Sequence, residues 1–71
     1  MKMIVLHDTY NNNPIVIRPE SIDVLRKVFE QNEEGSKEER AEVIVGTFSF
    51  IVKENIGEVI LKIKKAESEK E

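Results

Sequence analysis

The sequence is poor in the groups on which chemistry and covalent stabilisation depend. It has no cysteine, three scattered glycines and one histidine. Without cysteine, disulfides and thiolate zinc sites are excluded. The glycines form no phosphate-binding loop, and a single imidazole is too few for a histidine-based metal centre. These absences predict a protein that is not an enzyme, with no catalytic residue, no cofactor and no metal site.

The histidine and the serines do not alter this prediction. His7 precedes Asp8, and neighbours in a strand point to opposite faces, so the two cannot act as an oriented acid–base pair. Ser21, Ser36 and Ser49 lie outside any GxSxG nucleophile motif. We expect His7 to be a structural residue at a strand edge or strand end.

Long apolar runs and a positive charge balance are also missing. The apolar run near the start is too short for a signal peptide or a membrane span, so we expect a cytoplasmic protein without membrane insertion. A net charge of −3 and a pI near 5.2 argue against tight, nonspecific nucleic-acid binding. No small-molecule substrate is indicated. With 71 residues the chain is one domain of marginal stability, which favours self-association as a dimer or higher oligomer.

The most informative segment runs from Ala41 to Lys65. Gly46 and Thr47 predict a type II′ turn that pairs Val45 with Phe48, Val43 with Phe50 and Ala41 with Val52. One face of this hairpin is therefore apolar. The other face carries the four residues that we predict to form a protein interface: Glu42, Ile44, Ser49 and Ile51.

A helix should follow this hairpin. Asn55 and Glu58 form a capping-box pattern, and an apolar stripe follows at helical spacing: Ile56, Val59, Ile60 and Ile63. We expect one domain over residues 1–65 and a disordered charged tail over 66–71.

The first half predicts another hairpin. Two β-branched or aliphatic runs flank an Asn-rich loop, and Pro19 favours a short helical turn after the second run. Residues 22–29 fit a helix by propensity and a strand less well, and both options stay open. A flexible acidic loop is expected at about 31–40.

Together these elements predict an α+β fold: a small curled antiparallel sheet of four to five strands in two hairpins, a C-terminal amphipathic helix and one short helical turn after Pro19. Both faces of the first hairpin carry aliphatic residues, and one helix covers one face of a sheet, so a surplus apolar surface should bind protein. The alternative is nucleic-acid binding by Phe48 and Phe50, with Lys53 and Arg40 at the margin, or a purely structural role.

The opening MIVLHDTYNNNPIVIRPESI and the closing GTFSFIVKENIGEVILKI resemble the small flagellar and swarming motility proteins of the FlbD type. The resemblance covers roughly Met3 to Lys65, and its most telling part is the Val52–Asn55 junction followed by Glu58 and Val59. It implies a small cytoplasmic bacterial protein linked to motility, with no catalytic residue to carry over. It also implies a strand at about Asp23 to Glu30. The Asn-rich turn and the long acidic loop depart from the family pattern, and a relative from a phage-derived or uncharacterised context would share the same features.

Overall fold

The fold is α+β, as predicted, in a computed structural model that describes residues 2–68. Five strands, one 3₁₀ turn and one helix follow in chain order: β1 (Ile4–His7), β2 (Pro14–Ile17), the 3₁₀ turn (Pro19–Ser21), β3 (Val24–Gln31), β4 (Lys37–Val45), β5 (Phe48–Val52) and α1 (Ile56–Ser68). The strands form two antiparallel sheets, β1-β2 and β3-β4-β5. An isolated bridge between Asp8 and Val52 links them.

The first hairpin places its aliphatic residues on two sides. Ile4 pairs with Ile17 and both are buried, whereas the neighbouring pair Val5 and Val16 is exposed. The loop between the strands is held by Asp8, whose carboxylate accepts hydrogen bonds from the backbone N–H groups of residues 10 and 11. Asn12 has a φ of 61°, a left-handed conformation that Asn tolerates better than most residues.

The second sheet confirms the predicted hairpin register. Val45 pairs with Phe48, Val43 with Phe50 and Ala41 with Val52. Gly46 has a φ of 61°, and Thr47 is not among the described residues with positive φ. The turn therefore fits type II′ and not type I′, which needs positive φ at both central positions.

Within residues 22–29, for which two options stood open, a strand begins at Val24, and no helix forms. β3 pairs along its whole length with β4, from Val24 opposite Ile44 to Gln31 opposite Lys37. The helix that local propensity favours does not form, because the ladder with β4 lets Leu25 pack against the core while neighbouring residues point away. The resemblance implied a strand here.

Two predicted boundaries differ from the structure. The loop predicted for 31–40 is shorter, because Gln31 ends β3 and residues 37–40 already belong to β4. The helix continues past residue 65 to Ser68, and Ala66 is buried, so residues 66–68, which were predicted to be disordered, are helical. Residues 69–71 of that tail lie outside the described part of the chain.

The core lies between the two sheets and α1. It combines the inward residues of both hairpins with two residues of the helix: Ile4, Leu6, Ile17, Ala41, Val43, Val52, Val59 and Ala66. The predicted capping box forms, since Asn55 Oδ1 accepts from the Glu58 N–H at 2.8 Å and Glu58 Oε1 accepts from the Asn55 N–H at 2.9 Å. This cap fixes where the helix starts and hence how Val59 reaches the core.

Candidate functional site

The four residues predicted as an interface lie together on the side of the three-stranded sheet that faces away from the core. Ile44 is opposite Ser49, and Glu42 is opposite Ile51 in the next row. Side chains alternate along a strand, so the buried residues Ala41, Val43 and Val52 point the other way. We call the side that carries the predicted residues the outer face. Their role as an interface stays a prediction.

Strand β3 adds two residues to the outer face. Val24 lies opposite Ile44 and is 46% exposed, and Arg26 lies opposite Glu42. Sequence reasoning missed both because it left residues 22–29 open between helix and strand. The signal that could have found them is the alternation of Val24, Arg26 and Val28, which a strand places on one face.

The aliphatic side chains of the outer face are not used by the core. Ile44 and Ile51 are partly exposed, and neither belongs to the buried cluster or to the hydrophobic residues packed against it. Aliphatic residues grouped on one exposed face mark contact sites more often than isolated ones do.

The charges on this face are paired within the chain. Arg26 donates to Glu42, and their side chains are 65% and 14% exposed. The Glu42 carboxylate is thus largely covered, while Arg26 is exposed. Arg40 pairs with Glu38, and there the arginine is the less exposed partner, at 22% against 43%. The outer face consequently presents aliphatic groups and compensated charges.

A polar network closes one end of the outer face. Thr9 and Tyr10 donate hydrogen bonds to the Glu30 carboxylate at 3.2 and 2.8 Å, and Arg40 Nε donates to Thr9 Oγ1 at 3.1 Å. The bond to Glu30 raises the pKa of the Tyr10 hydroxyl, and bonds from Asn32 and Arg40 lower the pKa of Glu38. The network ties the β1–β2 loop to the β3–β4 hairpin.

His7 is paired with the carboxylate of Glu54. Its Nδ1 lies 2.8 Å from Glu54 Oε2, and its backbone N–H donates to Glu54 Oε1 at 3.0 Å. Burial raises the pKa of Glu54, but the hydrogen bonds from His7, its own backbone N–H and the charge of His7 together outweigh burial, so the net shift of the pKa is downward. Sequence reasoning missed this contact, which joins β1 to the segment before α1, because the residues are 47 positions apart.

Arg40 does not share a surface with the two phenylalanines considered for nucleic-acid binding. Phe48 and Phe50 stack with ring centroids 6.5 Å apart, and Phe50 packs against the core. Both lie on the inner face of the sheet, whereas Arg40 points to the outer face, where it binds Thr9 and Glu38. A base stacked on Phe48 would therefore lie away from the Arg40 guanidinium.

Two further searches covered residues 2–68. No group of three or more metal-binding side chains occurs among them, and no helix in that range is long and apolar enough to cross a membrane. Comparison with protein-family models, curated proteins and solved structures found no match. The FlbD-type resemblance accordingly stays a prediction.

Proposed function

We propose that this chain is a small protein-binding module without enzymatic activity, and that the outer face is its docking surface. The observation that carries the proposal is the position of Ile44 and Ile51. Both are aliphatic, both lie on the outer face, and neither packs against the core.

The chemistry of the face defines the kind of partner. Two ion pairs hold four of its charged side chains, and Glu30 accepts hydrogen bonds from Thr9 and Tyr10, so the face offers an aliphatic contact with little net charge. We expect a partner protein that presents an uncharged aliphatic surface. Such contacts lose little affinity when salt is raised, in contrast to binding that neutralises phosphates.

The cellular role we propose is bacterial flagellar or swarming motility. Support for it comes only from the resemblance of the two terminal segments to FlbD-type proteins. Deleting the gene should impair swarming, and expression of the wild-type chain should restore it. Restoration by Ile44→Glu to the wild-type level would contradict a role for the outer face in motility, and normal swarming after deletion would remove the motility assignment.

Binding is tested with matched baits. Ile44→Glu places a carboxylate on the outer face, and Leu61→Glu makes the same change at an exposed position of α1. A partner that is captured and then purified should bind wild type and Leu61→Glu equally. Ile44→Glu should bind at least about 30-fold more weakly, as expected when a central apolar anchor is lost.

Three outcomes would contradict the proposal. The first is equal affinity of Ile44→Glu and wild type for the purified partner. The second is binding that falls steeply with salt, which would favour the nucleic-acid alternative. The third is that the outer face binds only another copy of the chain. The face would then serve self-assembly and not the binding of a different protein.

A further inference from the structure

Strand β3 is an open edge of the three-stranded sheet. Within residues 2–68 its ladder partner is β4 alone. It is eight residues long and contains neither proline nor glycine. Natural sheets usually shorten, bend, cover or charge such an edge, because its unpaired backbone groups are a template for another strand. β3 is long and regular, and the charges that it carries have both signs. A long regular edge therefore needs an account of what pairs with it.

The side chains of this edge alternate in a self-complementary way. Arg26, Val28 and Glu30 point to the outer face, while Lys27 and Phe29 point to the inner face. Arg26 and Glu30 carry opposite charges and lie two residues on either side of Val28. An antiparallel copy of the strand reverses this order, so opposite charges meet.

We propose that a second copy of this chain pairs antiparallel with the β3 edge, with Val28 opposite Val28 of the second copy. Arg26 of each copy then lies opposite Glu30 of the other. Opposed residues in such a ladder have Cβ atoms roughly 4.5–5.5 Å apart, within reach of an ion pair between these long side chains. The dimer has two such pairs and one continuous six-stranded sheet.

Charge selects this register over its neighbours. Opposed residues in a ladder share a face, so a two-fold symmetric pairing must centre on one residue. Centring it on Arg26, Lys27 or Glu30 brings a charge against its own copy. Centring it on Phe29 brings no opposite charges together. Among the registers centred on residues 26–30, the Val28 register is the one that forms ion pairs.

The inner face gives an independent reason for the same register. Phe29 is 60% exposed at the end of the long hairpin. In the Val28 register it lies opposite Lys27 of the second copy, whose aliphatic stem can cover the ring and whose ammonium group favours its face. This pairing would cover an aromatic ring that the single chain leaves in water.

The inference concerns the edge of the sheet and does not rest on the proposed function, which concerns the outer face. Pairing at the edge leaves Ile44 and Ile51 accessible in both copies. Ile44→Glu should therefore leave the dimer intact, and this variant is the control for the experiments below.

The first experiment exchanges charges between two variants. Arg26→Glu alone and Glu30→Arg alone should each dissociate at concentrations at least about tenfold higher than wild type, because both ion pairs become repulsive. A one-to-one mixture of the two variants should again dimerise like wild type, since every facing pair is then opposite in charge. Sedimentation velocity across a dilution series measures each state.

If the single variants failed to dimerise because they were misfolded, mixing them would not restore the dimer. Each variant also loses an intrachain contact, with Glu42 or with Thr9 and Tyr10, and far-UV circular dichroism checks that each still folds. A wild-type chain that stays monomeric at millimolar concentration would overturn the proposal. So would variants that dimerise like wild type, or a mixture that does not.

The second experiment maps the register with a single thiol. The chain has no cysteine, so Val28→Cys introduces one thiol per copy. Opposed Cα atoms in an antiparallel ladder are roughly 4.5–5.5 Å apart, which suits a disulfide. Oxidation should link Val28→Cys into a covalent dimer. Val24→Cys lies on the same face, but its two copies would be about 27 Å apart, and it should stay unlinked. Equal linkage of both variants, or linkage of Val24→Cys alone, would refute the register.

Discussion

Val43 and Ile44 are neighbours in β4 that we assign to opposite environments, and one pair of substitutions tests the assignment. Val43 is 1% exposed in the core, whereas Ile44 lies partly exposed on the outer face. Replacing either with threonine keeps a β-branched residue in the strand, so β-propensity changes little. Any difference between the variants then reports the surroundings of the side chain.

The expected magnitudes differ. Val43→Thr places a hydroxyl among aliphatic side chains with no free partner, which costs about 2–3 kcal/mol. Ile44→Thr loses some aliphatic contact, but its hydroxyl reaches water, so we expect at most about 1 kcal/mol. A 71-residue chain has roughly 4–11 kcal/mol of stability in total, so the first loss is large and the second is tolerable.

Thermal unfolding followed by far-UV circular dichroism measures both variants. Val43→Thr should lower Tm by roughly 10 °C or more, given a shift of about 4–8 °C per kcal/mol for a domain of this size. Ile44→Thr should lower it by less than half as much. Equal destabilisation would mean that Ile44 is enclosed as fully as Val43, and the assignment of the outer face as an accessible surface would be wrong.

Three further predictions concern local contacts. The pKa of Glu54 is lowered by its bonds to His7, so its stabilising contribution is complete above the ordinary value of about 4.5 and is lost as the pH falls below it. Glu54→Gln should therefore be less stable than wild type at pH 7 and close to it at pH 3, and a constant difference across that range would contradict the contact. Asn55→Ala should lower the free energy of unfolding by about 1 kcal/mol, because it removes the helix cap, whereas Asn55→Asp keeps the cap and should not. Equal losses in the two variants would exclude the capping role. Gly46→Ala should lower the free energy of unfolding by about 1 kcal/mol through the positive φ alone, because a Cβ at this position meets nothing within 4 Å. Gly46→Asn should lower it by less. Unchanged stability of Gly46→Ala would argue against the type II′ turn.

The second hairpin and the helix were predictable because their signals are local. Gly46 fixes the turn, the turn fixes the register, and alternation then separates Val43 from Ile44. The capping box of Asn55 and Glu58 acts within four residues in the same way. Each of these features can be predicted from neighbouring residues, without knowledge of the rest of the chain.

Strand β3 could not be decided locally. Its residues favour a helix by propensity, and the ladder with β4 overrides that preference. The uncertainty hid Val24 and Arg26 from the predicted site. The His7–Glu54 contact was missed for a separate reason, because it depends on how the first hairpin docks against the second sheet. Long-range pairing of this kind leaves little trace in the spacing of residues.

The most direct test of the account is the affinity of the purified partner protein for wild type and for Ile44→Glu, measured by isothermal titration calorimetry with both chains folded. The account predicts binding at least about 30-fold weaker for the variant, little dependence on salt, and no loss for Leu61→Glu. Equal affinities would show that the outer face is not the docking surface.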